Sequence, residues 1–233
     1  MGADLTIYLP GEATGGYLAI PSEAGRAPGV VVLHQAYGLD DDIRRITDRM
    51  ASMGYLAVAP DLVAGGKWRC ITALFRDVMR GKGPNVERVA DLVAWLAARA
   101  DCTGRVGVIG FCVGGGLAYL LGAVGGVKAV SANYGRAPDN SIWPRSCPVI
   151  ASYGARDRMF GRAAGTVEKG LAANGIDHDV KLYPRVGHGF MNQVEGHRVL
   201  SMVTRPFLAV GYDRDAAEDS WRRIDAFFQA HLS

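Results

Sequence analysis

The sequence predicts an α/β protein with a mostly parallel central sheet and helices on both faces of it. Two observations carry that prediction. Short apolar runs bounded by Gly, Pro or Asp alternate with longer stretches whose apolar residues recur every three to four positions. Consecutive strands joined by helices must pair in parallel, because each crossover returns the chain to the same edge of the sheet. In addition, one apolar run passes directly through a Gly-rich turn into an apolar helical pattern, a junction that such sheets use for function.

The elements follow in order. The runs at 5–9 and 17–20 are short and separated by Pro10-Gly11-Glu12 and Gly15-Gly16, so they read as an antiparallel hairpin at a sheet edge. Runs at 30–33, 56–59, 106–109, 127–130, 149–152 and 180–183 are compact, largely apolar and bounded by Gly, Pro or Asp, the pattern of buried parallel strands. Between them lie helical patterns through Ile43, Ile46 and Met50; through Val86, Val89, Val93 and Leu96; through Leu117, Leu120 and Leu121; and through Val167 and Leu171. A closing helix runs through Trp221, Ile224 and Phe228. Two stretches fit the alternation poorly, 63–83 with its glycine punctuation and 194–212 around Pro206, and both are candidate lids.

Composition narrows the function. The 233 residues, 49% of them hydrophobic and 21% charged, suit one domain over 1–233 with a sizeable core. A formal charge of +3, with Lys and Arg scattered among acids, offers no footprint for nucleic acid or an anionic membrane surface. No apolar stretch reaches the length of a bilayer span and the start has no targeting pattern, so a cytoplasmic protein is expected. Cys70, Cys102, Cys112 and Cys147 show no ligand spacing, which suggests neither a metal site nor a disulfide framework. The oligomeric state is left open.

The chemistry concentrates at Gly110-Phe111-Cys112-Val113-Gly114. Lying between a predicted strand and helix, it has the form of a nucleophile elbow, whose flanking glycines leave room where a Cβ would collide with neighbouring backbone. With 31 glycines and four cysteines in 233 residues, such a pentapeptide arises by chance about 0.07 times. Nucleotide-binding readings fail, since Gly116 stands where a P-loop needs Lys and Tyr119 where a dinucleotide fingerprint ends in Gly. The plain alternative is that Cys112 is a small hydrophobe at a tight crossing. Asp157 and His188 follow two later strand runs in the order nucleophile, acid, histidine. Asp157 also suits a cap of the helical segment holding Val167, whereas His188, between two glycines, belongs to a loop. His178, His197 and His231 read as surface residues, and His34 as one that shapes the backbone at a strand end.

Through His34-Gln35-Ala36-Tyr37-Gly38-Leu39, Ala59-Pro60-Asp61-Leu62, the cysteine elbow, Tyr153-Gly154-Ala155-Arg156-Asp157 and His188-Gly189-Phe190, nearly the whole chain resembles the dienelactone hydrolase family of α/β-hydrolases. The resemblance implies an α/β-hydrolase fold and cleavage of a small-molecule ester or lactone, with no cofactor. Cys112 would be the nucleophile, His188 the base and Asp157 its orienter. The backbone N–H groups of Ala36 and Val113 would form the oxyanion hole, with Gln35, Tyr37, Phe111 and Asn192 around the substrate. The chain departs from the family in having Gln35 in place of Glu and Asn192 in place of an Arg that helps hold a substrate carboxylate. That leaves a cation to Lys67, Arg69 or Arg76 of the first candidate lid. An acyltransferase with the same triad, or a thiol-based sensor or binding domain on the same fold, are the alternative functions.

Overall fold

The computed structural model describes residues 2–10, 12–23, 25–63, 68–193 and 209–233. Strands β1 (Ala3–Leu9) and β2 (Glu12–Ala19) form the expected edge hairpin, antiparallel from Ala3 opposite Leu18 to Leu9 opposite Glu12. β2 also pairs antiparallel with β4 (Leu56–Pro60). From there the sheet is parallel through β3 (Ala27–Leu33), β5 (Cys102–Phe111), β6 (Val127–Asn133), β7 (Val149–Gly154) and β8 (His178–Tyr183). The order across its eight strands is β1-β2-β4-β3-β5-β6-β7-β8. This is the mostly parallel sheet that the alternation of runs predicts, arranged as the α/β-hydrolase fold that the resemblance implies.

Strand periodicity divides the core in two. Val31 and Leu33 of β3, Val106 and Val108 of β5 and Val149 and Ala151 of β7 point to one face; Val30, Val32, Ile109 and Ile150 point to the other. On the first face pack α3 (Pro84–Ala97), α4 (Val113–Val124) and α5 (Ala163–Ala173). On the second pack α1 (Asp41–Ser52), through Ile43, Ile46 and Met50, and α6 (Arg214–Leu232), through Trp221, Ile224 and Phe228. Helix starts are fixed by side chains that satisfy otherwise unpaired amides: the Ile43 N–H donates to Asp40 Oδ1 (2.9 Å), and the Ala216 N–H to Asp213 Oδ1 (3.0 Å).

The first candidate lid contains a helix that the sequence reading does not resolve, α2 (Trp68–Arg80); residues 64–67 lie outside the described residues. Asp77, buried on α2, accepts hydrogen bonds from the backbone N–H and side-chain amide of Asn85 (3.1 and 2.7 Å), which ties α2 to the start of α3. Of the second candidate lid, 194–208, including His197, lie outside the described residues. Among the described residues no helix is long and apolar enough to cross a membrane.

A single residue separates β5 from α4, so the two meet at very close range. A Cβ on Gly110 would lie 2.1 Å from the Gly114 carbonyl oxygen, a contact between backbones that no side-chain adjustment relieves. Gly110→Ala is therefore expected to cost about 2–3 kcal/mol, seen as a fall in Tm of about 5–10 °C in a thermal melt. Gly165→Ala on α5, where a Cβ meets nothing within 4 Å, should leave Tm unchanged or raise it.

Candidate active site

Cys112 holds φ 56° and ψ −118°, a left-handed conformation that costs a non-glycine residue free energy and turns its side chain out of the line of β5. The bend is held from several sides. The Cys112 N–H donates to the Asn133 carbonyl (3.1 Å), and the Gly116 N–H donates to the Cys112 carbonyl (3.2 Å). Gly114 is backed against the Leu33 and His34 carbonyls, which a Cβ would approach to 2.5 and 2.6 Å, and Gly115 against the backbone of Asn133 and Gly135. The thiol, half-buried, stands at the N-terminus of α4, where unpaired amides favour negative charge.

The loops after β7 and β8 bring Asp157 and His188 together. They are joined backbone to backbone: Ala155 N–H donates to Tyr183 O (2.8 Å) and Arg156 N–H to Val186 O (3.0 Å). Gly154 permits the approach, since a Cβ there would lie 2.4 Å from the Gly187 oxygen. Asp157 Oδ1 accepts the N–H groups of Met159 and Phe160, each at 3.0 Å, and Oδ2 lies 2.7 Å from His188 Nδ1. The residue thus caps the turn leading toward α5 and grips the imidazole at once. Both side chains are buried, and His188 Nε2, the nitrogen not taken by Asp157, has no hydrogen bond of good geometry among the described residues. Burial alone would lower the His188 pKa; Cys112 beside it and the Asp157 carboxylate outweigh burial and push the pKa up to about 9. The rings of Tyr134 and Phe160 pack on the imidazole, with centroids at 5.0 and 5.3 Å.

Across the elbow lies the loop after β3. His34, fully buried, accepts the Leu62 N–H at Nε2 (3.0 Å), so Nδ1 carries the hydrogen and donates to the Gln35 carbonyl (2.5 Å). Burial lowers its pKa, which keeps the ring neutral. Gln35 is buried with no partner for its Nε2 among the described residues, Ala36 is half-buried, and the half-buried Tyr37 has its pKa raised by burial and by Cys112. Val113 opens α4, where helix geometry leaves its N–H without an intrahelical acceptor.

A cavity of about 480 Å³ opens on Cys112 and Val113. α2 supplies one wall through Phe75, Val78 and Met79, and the β7–α5 connection the opposite one through Met159, Phe160 and Ala163. Arg136, after β6, is the charged residue among the described lining, and it lies on a different element from Lys67, Arg69 and Arg76. Arg76 is directed instead at Asp77 (3.8 Å), Arg69 is exposed without lining the cavity, and Lys67 lies outside the described residues.

Two of the residues expected around the substrate are elsewhere. Phe111 packs beneath the elbow against Tyr134 and Trp221 (centroids 6.2 Å in each case), because strand alternation sends it to the α6 face. Asn192 is buried and turned back toward α1: its Nδ2 donates to Asp42 Oδ2 (2.7 Å), and its Oδ1 accepts the Tyr134 hydroxyl. Asp42 is further held by the Gln193 N–H (3.0 Å) and by Arg45. Tyr134, Phe160, Arg136 and the α2 wall were not singled out from the sequence; the sole hint of Tyr134 is its place just beyond the β6 run. His178 begins β8 and His231 pairs with Asp177 (3.1 Å), both half-buried rather than exposed. Among the described residues no group of three or more His, Cys, Asp or Glu could hold a metal ion. Asn192→Leu is expected to cost about 2–4 kcal/mol in urea unfolding with the slope unchanged, since it leaves the Tyr134 hydroxyl and an Asp42 oxygen buried without a partner.

Comparison with known proteins places this chain in a family. The model of the dienelactone hydrolase family matches residues 14–232. A protein of Methylorubrum extorquens named "Putative carboxymethylenebutenolidase" is 30% identical over 92% of this chain and 76% of its own. A structure titled as a putative dienelactone hydrolase of Klebsiella pneumoniae superposes with a TM-score of 0.79 at 26% identity, covering 99% of both chains. The dienelactone hydrolase of Anabaena variabilis, at 20% identity, shares the fold with a TM-score of 0.72, over 100% of this chain and 99% of that one. The chain belongs to the dienelactone hydrolase family of hydrolases.

Proposed function

We propose that this chain hydrolyses a small-molecule carboxylic ester or lactone through a thioester on Cys112. The observation that carries the reading is the left-handed Cys112 beside a His188 that Asp157 grips at 2.7 Å and whose pKa is raised. The Cys112 thiolate attacks the carbonyl carbon, and the backbone N–H groups of Ala36 and Val113 take the developing oxyanion. Collapse breaks the C–O bond; the leaving alkoxide takes the proton from His188 Nε2, and the acyl group stays on sulfur. Water then attacks the thioester as His188 accepts its proton, which releases the carboxylic acid and restores the thiolate. Asp157, fixed by two amides through its other oxygen, holds the proton on Nδ1 throughout and supports the imidazolium.

Gln35 sets the resting state. It matches Glu in shape but carries no charge, so no anion on that side opposes ionisation of the thiol. The sulfur of Cys112, beside the imidazole and unopposed by charge at Gln35, is then quick to alkylate and quick to oxidise.

Turnover of phenyl acetate is expected to fall by at least about a thousandfold in Cys112→Ala and in His188→Ala, and little further in the double variant, because groups acting in one step are not additive. Asp157→Asn should lose about a hundredfold or more in kcat while remaining folded. Multiplicative losses in the double variant, or normal kinetics in Asp157→Asn, would overturn the shared role. Alkylation of Cys112 by iodoacetamide, followed against pH, should show a higher midpoint in Gln35→Glu than in the wild type, since a new carboxylate disfavours the thiolate. An unchanged midpoint in the folded variant would remove the role given to Gln35.

A further inference from the structure

The cavity beside Cys112 is walled mainly by apolar side chains, with Arg136 the charged residue among the described lining. Its volume of about 480 Å³ falls within the range of sites that enclose drug-sized ligands. Three of its wall residues are also among the most exposed large hydrophobic side chains of the described surface: Phe75 at 40%, Met79 at 57% and Met159 at 63%. Side chains of this kind left in water are a standing cost that a bound apolar group removes.

α2 extends the feature. Phe75 and Met79 are four residues apart and Trp68 lies seven before Phe75, so all three fall on one helical face. Trp68 is 78% exposed. Exposed apolar side chains therefore recur on this face of α2 over about 16 Å from Met79, at the cavity, to Trp68, at 1.5 Å per residue. Methionine on both walls suits an occupant of variable shape, because its unbranched thioether repacks easily.

We infer that the substrate is an ester carrying an extended apolar chain of about eight carbons, laid against Phe75, Met79 and Met159 with its ester carbonyl at Cys112. The inference rests on the esterase reading above and adds the class of group that the cavity selects. The apolar chain supplies binding remote from the reacting bond, and that binding is realised in the transition state because it fixes the carbonyl between sulfur and amides.

The test is kcat/KM for two series of neutral esters, p-nitrophenyl acetate to octanoate and methyl to octyl acetate, run on wild type and on Phe75→Ser/Met79→Ser. In at least one series kcat/KM should climb about threefold to fourfold per methylene over the first several carbons. In the double variant the ratio of longest to shortest ester should drop about tenfold or more, and Phe75→Leu/Met79→Leu should restore most of it. A flat or falling profile in both series, or an unchanged ratio in the serine variant, overturns the inference and leaves Cys112-dependent turnover of acetate intact. Loss of all Cys112-dependent turnover on every ester would instead remove the esterase reading, and this inference with it.

Discussion

The structure depends on one strained joint. β5 and α4 are separated by Cys112 alone, and the chain makes the turn only by holding that residue at positive φ. The strain persists because the surroundings over-determine it. β6 takes the Cys112 N–H, the end of β3 lies against Gly114, and the stretch after β6 lies against Gly115. The last two approaches each need a missing Cβ, so Gly114 and Gly115 are a packing requirement of the neighbouring β3 and β6. The same closeness lets α4 aim its unpaired amides at the sulfur. The geometry that strains the backbone thus also sets the half-buried sulfur at the mouth of the cavity, at the helix N-terminus.

Much of this was legible in the sequence, for a definite reason. Strands covered on both faces read as unbroken apolar runs, and the joint demands glycines at fixed offsets from its nucleophile, so β5, Cys112 and the flanking glycines announce one another. Asp157 and His188 follow because loops at the ends of parallel strands gather on one edge of the sheet. The α2 wall escaped because only part of its apolar face meets the core; Leu74 and Val78 are buried, whereas Phe75 and Met79 face the cavity and water, which blurs the period. Asn192 was misplaced by counting from His188. The chain turns at Gly189, with φ 70° and the Asn192 N–H returned to the Gly189 carbonyl, and that turn sends the amide toward Asp42, 150 residues away in sequence. No local pattern encodes such a partner. Phe111 was misjudged for being next to the nucleophile, although adjacency along a strand means opposite faces.

In Asp157 the geometry of a cap and that of a partner for His188 coexist. The two were alternatives from the sequence, yet the carboxylate has two oxygens: one accepts the Met159 and Phe160 amides and the other lies against the imidazole. The division is useful chemically. An aspartate held only by the imidazole can rotate and exchange oxygens, whereas one pinned by two amides presents the same oxygen at the same angle to Nδ1.

His34 takes no part in bond making, yet it bears on the acidity the site can tolerate. The ring links the end of β3 to the turn after β4 by giving a hydrogen to the Gln35 carbonyl and receiving one from Leu62. Only the neutral ring can do both; adding a proton would set two N–H groups against each other and loosen the loop that carries Ala36. Burial opposes that protonation more strongly than Asp61 and Asp40 favour it. The acid boundary of the fold around the nucleophile is accordingly written partly into its scaffolding, and it lies at lower pH than a surface imidazole would set.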